Sequence, residues 1–430
     1  MKEQAPHVRH FFICDQLCLA PSDDMLTSSK AGFTYFDIDE QSSYIPFADD
    51  FGPMNLAAVY CFCELVEIQC EECPNNKLAL RCKTDARSIT NAVFLMGSFM
   101  IMMRGDHVQT VIDVLQPILK MAVPYRDVSP GPQNFQLFVE DCWRGLFRAK
   151  QLSWVSFAPS GFDPNEYTSL DSPLNADLHE VVPGKFVAMR GPRDLPPGQL
   201  WADVAVKGRF SHRDFSPQHY AEILQQFGVQ AVVRLNEPHY ARRSFADAGI
   251  AVADLAFEDC TPPPVDVVAK FLAIAEALPG ALAVHCRAGL GRTGTLIALY
   301  MMKHHGFTAR EAMGWLRIVR PGSVIGEQQD FLCAREAVMM RSSAPLRPAG
   351  VEALAGDGVE EVQRLIDDTV RAYDERYAVA LAAQERAGAA GRRRSESVGS
   401  DGGGAGLAEH VAAAAERRAA VRSRIPSMSE

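Results

Sequence analysis

Apolar residues fall along this chain as short unbroken runs alternating with helical stripes. The alternation is clearest between 229 and 303. Val229-Gln-Ala-Val-Val-Arg-Leu-Asn236 and Val252-Ala-Asp-Leu-Ala-Phe257 read as buried strands. Val265 to Leu278 carries Val267, Val268, Phe271, Leu272 and Ala275 at the spacing of a helix face and stops at Pro279-Gly280. Ala281 to Val284 is a further buried strand, and Thr293 to Lys303 resumes helical spacing. Thr308-Ala-Arg-Glu311 is a capping box opening another helix, which Pro321-Gly322 ends. Strands and helices in alternation predict an α/β fold with a mainly parallel sheet and flanking helices.

The same layout occurs earlier. Leu56 to Val66 has helical spacing, Leu78-Ala-Leu-Arg-Cys82 reads as a strand, and an apolar helix runs from Asn91 to Met103. The chain thus divides into a first block, 1–155, and a second, 194–341. The connection, 156–193, holds Pro159, Pro164, Pro173, Pro183 and Pro192. Residues 342–430 form a tail. Within it Val359 to Gln384 reads as a helix, with Val362, Leu365, Ile366, Val370, Tyr373 and Tyr377 along one side, either docked on the blocks or kept for a partner. Ala387 to Glu430 is rich in Ala, Gly, Arg and Ser and is expected to be disordered. Arg392-Arg-Arg-Ser395 and Arg422-Ser-Arg424 read as solvated charge or as kinase or import signals.

A length of 430 residues leaves room for two globular domains and a tail, and 47% hydrophobic content supports sizeable cores. A net charge of −10 argues against nucleic-acid binding and suits basic peptides. Met1 to His10 shows no signal-peptide core, and the longest apolar run, Val93 to Met103, is about half a bilayer span. The expectation is an intracellular protein without membrane insertion. Its eleven cysteines then read as mostly reduced thiols. Cys61, Cys63, Cys70 and Cys73 invite a zinc assignment, but residues two apart on a helix do not share a face, and no metal site is assigned.

The densest chemistry lies in Val284-His-Cys-Arg-Ala-Gly-Leu-Gly-Arg-Thr-Gly-Thr295. A strand, a tight loop and a helix start point the backbone N–H groups of Arg287, Ala288, Gly289, Leu290, Gly291 and Arg292 into one concavity, at the positive end of the helix dipole. A dianionic phosphate fits there. The same field favours the thiolate of Cys286, the nucleophilic form. Arg292 supplies a fork that grips two oxygens at once, as lysine does not. Gly289 to Gly294 also spells G-x-G-x-x-G, but the dinucleotide fingerprint needs a second strand next, and here a helix follows. In the first block, Cys82 and Arg87 lack the glycines between them, and Asp85 puts negative charge where phosphate would sit. That block reads as a degenerate, non-catalytic copy.

The string VHCRAGLGRTGTLIALY, with Arg320-Pro-Gly-Ser-Val-Ile-Gly326-Glu-Gln-Gln329, resembles the cell-division-cycle-fourteen type of dual-specificity protein phosphatase. The similarity covers most of 33–340, including Asp50-Asp-Phe-Gly-Pro-Met-Asn-Leu56, Tyr125-Arg-Asp-Val-Ser129, Val182-Pro-Gly-Lys-Phe186, Val233-Arg-Leu-Asn236 and Asp247-Ala-Gly249. The resemblance implies two tandem phosphatase-like domains, only the second catalytic. It implies hydrolysis of phosphoserine or phosphothreonine, preferentially before proline with a basic residue following, and of phosphotyrosine, without metal or cofactor. Partners would be phosphorylated proteins, and the work would be cell-cycle, cytokinesis or cilium regulation in nucleus and cytoplasm.

Matched by position, the resemblance makes Cys286 the nucleophile and Arg292 with the 287–291 backbone the phosphate cradle. Thr293 would hydrogen-bond the leaving sulfur, and His285 would orient the loop. Asp259, in Phe257-Glu-Asp-Cys-Thr-Pro-Pro263, matches the general acid, with Glu258 as fallback. Gln328 or Gln329 matches the water-positioning glutamine, and Asp127, Glu166 and Asp171 match an acidic groove for basic substrates. Cys260 stands where the family has a small glycine, leaving open loop mobility and a redox disulfide with Cys286. Related lipid phosphatases carry two extra basic loop positions. Leu290 fills one and Arg287 the other, which favours protein over lipid. A phosphopeptide-binding scaffold would be expected to have lost Cys286, Arg292 or Asp259.

Overall fold

A computed structural model describes residues 8–24, 32–38, 44–129, 133–206, 209–342 and 358–376, together with 346, 348, 351 and 354. Met1–Tyr373 form one compact unit and Asp374–Glu430 a second. The expected disorder beyond Ala387, the two Arg/Ser motifs and Tyr377 lie outside the described residues.

The first lobe comprises β1 (Phe11–Phe12), β2 (Leu17–Pro21), β3 (Phe33–Phe36), α1 (Leu56–Glu72), β4 (Lys77–Cys82), α2 (Ala86–Phe99), α3 (Val108–Leu119) and α4 (Val139–Gln151). Its sheet runs β1-β2-β4-β3, with β2 and β3 parallel to β4 and β1 antiparallel. Together with a π turn over Met100–Arg104, α2 is long and apolar enough to cross a membrane, but 72% of that stretch is buried, which marks it as the lobe's core helix. Cys61, Cys63 and Cys70 sit along α1, with Cys63 in the core and Cys61 exposed.

After α5 (Pro164–Asp171) the second lobe begins with β5 (Leu178–Val182) and β6 (Phe186–Met189), then a hairpin of β7 (Trp201–Val206) and β8 (Arg209–Phe215). It continues through α6 (Pro217–Gln226), β9 (Val229–Arg234), α7 (Arg243–Ala246), β10 (Ala251–Asp254), α8 (Val265–Ala277), β11 (Ala281–His285), α9 (Gly291–His305), α10 (Ala309–Val319), α11 (Glu327–Arg341) and α12 (359–376). The sheet order is β10-β9-β11-β6-β5, with β11 central and parallel to both neighbours, and β5 antiparallel at the edge. The expectation for 156–193 needs correction here. Its prolines suggested a connection, yet β5 and β6 are strands of the second sheet, joined at the Pro183-Gly184 turn.

The two lobes share one continuous apolar core. They meet where α4 crosses α10, with Gly145 and Gly314 at the crossing. A side-chain carbon on Gly145 would lie 2.4 Å from the Glu311 carbonyl oxygen, and one on Gly314 2.7 Å from that of Asp141. Only glycine permits that approach.

The helix expected from 359 is docked, with Val362, Leu365 and Ile366 buried. The side-chain amide of Gln363 pairs with edge strand β10 as another strand would. Its Nε2 donates to Val252 O at 3.0 Å and its Oε1 accepts from Val252 N at 2.8 Å.

Candidate active site

Central strand β11 ends at His285, immediately before Cys286, and the chain turns through 287–290 into α9 beside a cleft that Arg287 and Arg292 line. Gly289 makes the turn at φ +70, and a side-chain carbon there would lie 2.0 Å from Met189 O, so both the backbone angle and the space demand glycine. Cys286 and Arg292 are each 3% exposed. The Arg292 Nη1 donates to Leu235 O (3.1 Å) and Phe257 O (2.8 Å), which aims the rest of the guanidinium into the cleft. Its Nε lies 3.1 Å from Asp259 Oδ1 without hydrogen-bond alignment. Nucleophile loop, arginine and the carboxylate expected as acid are thus brought together. The cleft is about 400 Å³, lined by Arg193, Asn236, Glu237, His239, Asp259, Arg287 and Arg292.

His285 is fully buried. Its Nδ1 faces Cys286 O at 3.0 Å, and a carbonyl can only accept, so Nδ1 carries the proton and Nε2 accepts from the Tyr240 hydroxyl at 2.8 Å. Burial pushes its pKa down to about 4, so it serves as a neutral brace on the cysteine's carbonyl. The Thr293 hydroxyl, buried in the first turn of α9, has no partner among the described residues. Asp259 is more than half exposed and accepts from Cys260 N at 3.0 Å. Cys260 adopts φ +59, the left-handed region that glycine fills without strain. Burial first, then Asp259, raises its thiol pKa.

The two glutamines face different ways. Gln328 packs beside the loop: its Oε1 would lie 2.9 Å from a side-chain carbon on Gly291, and its Nε2 donates to Thr261 O, on the Asp259 loop, at 3.1 Å. Gln329 turns away, accepting from Arg317 Nη2 and donating to Asp127 Oδ2, both at 2.7 Å. We expect Gln328→Ala to slow release of the phosphoenzyme about a hundredfold, the cost of a misplaced reactant, with the initial burst intact. Gln329→Ala should instead destabilise the fold by about 1–3 kcal/mol for each polar group left unpaired. Burst kinetics and thermal melts separate the two.

One of the three expected groove acids, Asp127, is corrected by the structure. Asp127 is buried. Its oxygens accept from Ser129, from Gln133 Nε2 (3.2 Å), from Gly326 N (2.6 Å) and from Gln329. Burial alone would raise its pKa, and the hydrogen bonds outweigh that to lower it. It ties the first lobe to the start of α11. Asp171 faces His179 Nε2 at 3.0 Å. The third, Glu166, is exposed near the start of α5.

A residue that carried no expected role explains Asp171. Arg320, 2% exposed, donates from Nε to Gly289 O and from Nη2 to Ala288 O, both at 2.8 Å. Drawing those carbonyls outward turns the intervening N–H groups inward, toward the phosphate position. Asp177 Oδ1 (2.8 Å) and His179 Nδ1 (3.1 Å) hold Arg320, and Asp171 holds His179. Nothing in Arg320-Pro-Gly signals this, because the bonds span 31 and 32 residues. Arg320→Ala should destabilise the fold by about 3–5 kcal/mol, as for a broken buried ion network. Asp171→Asn should lower turnover equally for peptides with and without a lysine after the phosphosite. A loss confined to the lysine peptide would restore Asp171 as a substrate reader.

The first-lobe echo is degenerate in structure too. Asp85 caps α2, accepting from Ser88 N at 3.0 Å where an anion would bind, and Arg87 pairs with Asp49 at 2.9 Å. Burial and Asp85 push the Cys82 thiol up to about 12.

This loop and this fold define a cysteine-dependent phosphatase of the dual-specificity class. Residues 11–149 match the family described as dual specificity protein phosphatase, N-terminal half, and 215–334 match the dual specificity phosphatase catalytic domain. The human dual specificity protein phosphatase CDC14C is 35% identical over 310 residues, 72% of this chain and 67% of its own length. Human CDC14A is 38% identical over 306 residues, 70% of this chain and half of its own. The chain belongs to the CDC14 family of dual-specificity protein phosphatases. Among solved structures, Tk-PTP in its active form aligns over 37% of this chain and 95% of its own, at 23% identity and a TM-score of 0.29.

Proposed function

We propose that the chain hydrolyses phosphoserine and phosphothreonine before proline, and phosphotyrosine, through a phosphocysteine on Cys286. The observation that carries this is that Arg292, six residues after Cys286, meets Asp259 in one cleft, its Nε 3.1 Å from Asp259 Oδ1. In the first step the Cys286 sulfur attacks phosphorus, and the P–O bond to the substrate side chain breaks. Asp259 gives its proton to the departing oxygen, while Arg292 and the 287–292 amides hold the equatorial oxygens. In the second, water oriented by Gln328 attacks the phosphocysteine. Asp259 takes the water's proton, phosphate forms, and sulfur leaves as thiolate with the Thr293 hydroxyl as donor.

The preference for proline is supported by an apolar floor beside the loop. Leu290, Val128 and Phe47 converge on Gly322, where a side-chain carbon would lie 3.2–3.3 Å from each. Phe47 is 59% exposed, so a small apolar ring has a face to rest on. Glu166 remains the groove acid for a following basic residue. The biological role this supports is reversal of cyclin-dependent-kinase phosphorylation inside the cell, in cell-cycle, cytokinesis or cilium control. The test is a comparison of kcat/KM for phosphoserine-proline peptides, phosphoserine-alanine peptides and phosphoinositides. Phosphoserine-proline should lead by about tenfold, the 1.4 kcal/mol that one buried small ring can supply. A lead for phosphoinositides would contradict the protein-substrate reading.

A further inference from the structure

Beside the phosphate cradle, the Arg292 Nε, the Thr293 hydroxyl and the Asn236 Oδ1 are buried without a hydrogen-bond partner among the described residues. Folded proteins rarely leave such atoms unpaired, and where they gather at one site they mark positions for the atoms of a ligand. In the steps set out above, phosphate takes the first and the departing sulfur the second. Asn236 has no role yet.

Asn236 is 4% exposed and lines the cleft with Asp259 and Arg292. It follows β9, and its neighbour Leu235 is fastened on both sides. The Leu235 N donates to His285 O at 2.9 Å, and the Leu235 O accepts from the Arg292 Nη1 at 3.1 Å. The Asn236 amide is oriented as well. Its Nδ2 donates to Glu237 O at 2.9 Å, and a carbonyl only accepts, so the two amide atoms cannot exchange places. The Oδ1 is therefore a fixed, buried acceptor on the wall of a phosphate site.

An acceptor there cannot pair with phosphate, whose oxygens are acceptors too. It needs a donor that the substrate brings. In the proposed steps the Asp259 proton goes to the ester oxygen, and Gln328 holds the attacking water. The proline after the phosphosite has no N–H. The nearest donor left is the backbone N–H of the phosphorylated residue, which the short serine side chain keeps close to the ester oxygen. A tyrosine ring carries that N–H away from the cleft.

We propose that Asn236 is a specificity residue, its Oδ1 accepting a hydrogen bond from the backbone N–H of the phosphoserine being hydrolysed. The proposal rests on the phosphatase reading above and deepens it: Asn236 reads the substrate's main chain, and the apolar floor at Gly322 reads the proline that follows. A site built around a substrate N–H rejects the analogue that lacks it, because its own acceptor is then left buried and unpaired.

The test compares, on the full chain, a phosphoserine-proline peptide with the same peptide carrying a backbone ester in place of the phosphoserine N–H. The exchange removes one donor and leaves the phosphate and the proline intact. The ester peptide should lose about tenfold in kcat/KM, the effect of one hydrogen bond. Asn236→Ala should bring the two peptides to equal kcat/KM, and an aryl phosphate, which has no amide, shows whether the cradle of that variant still works. In the unaltered protein the same exchange in a phosphotyrosine peptide should cost little, a comparison that needs no variant to fold. Equal kcat/KM for the amide and ester phosphoserine peptides, an equal penalty on phosphotyrosine, or a penalty that survives Asn236→Ala overturns the contact. Absence of turnover on every phosphopeptide would instead strike the phosphatase reading itself.

Discussion

Replacing Cys286 by serine is expected to abolish turnover of every phosphorylated substrate while leaving the fold and the phosphate cradle in place. The substitution exchanges one atom, and the cradle is built from backbone amides, Arg292 and the Arg320 clamp, none of which uses the sulfur. Hydroxyl is a far weaker nucleophile at neutral pH than thiolate, and His285 is not placed to serve as its base. His285 donates its Nδ1 proton to Cys286 O and turns Nε2 to Tyr240. Loss of a catalytic nucleophile costs at least about four orders of magnitude in kcat. The variant should still bind phosphopeptide, which isothermal titration measures directly. Undiminished turnover by Cys286→Ser would remove the mechanism altogether.

Asp259→Ala is the second large effect, and its signature is unequal loss. A serine alkoxide leaves only when protonated, so removing the acid should cost about 10²–10⁴ on phosphoserine peptides. An aryl phosphate with an acidic phenol leaves largely unaided and should lose far less. The variant also frees the Arg292 Nε from the carboxylate 3.1 Å away, so phosphate should bind no more weakly than before. Equal losses on serine and aryl phosphates would assign the proton elsewhere, with Glu258 the next carboxylate to replace.

How far these residues were legible in the sequence depends on the range of their interactions. The nucleophile loop is local: strand, turn and helix are contiguous, so its concavity follows from Ala281 to Lys303 alone. The strands expected at 229–236 and 252–257 appear as the shorter Val229–Arg234 and Ala251–Asp254, and the helix from Val265 and the Thr308 capping box are where the sequence puts them. The acids were not legible in the same way. Asp171 carries the charge of a substrate reader, but its direction is set by His179, eight residues on in another element, and Asp127 is claimed by Gly326 and Gln329 about 200 residues away. Charge is written in sequence; the direction in which a carboxylate points is not. The adjacent glutamines show the same limit, because neighbouring positions on α11 face different surroundings. In 156–193 the prolines hid two short strands, β5 and β6. The Gly145 and Gly314 crossing, which makes one core of two lobes, is likewise invisible until α4 and α10 are laid together.

In the proposed mechanism phosphate passes through the Cys286 sulfur, and one measurement reads that step directly. The Gln328→Ala protein, whose second step is slowed, is mixed with a phosphoserine-proline peptide, quenched in acid within one turnover, and digested for mass spectrometry. One phosphoryl adduct per active protein is expected, mapped to Cys286 and absent from Cys82 and Cys260. Peptide turnover with no covalent phosphoenzyme, or an adduct on any other residue, would contradict it.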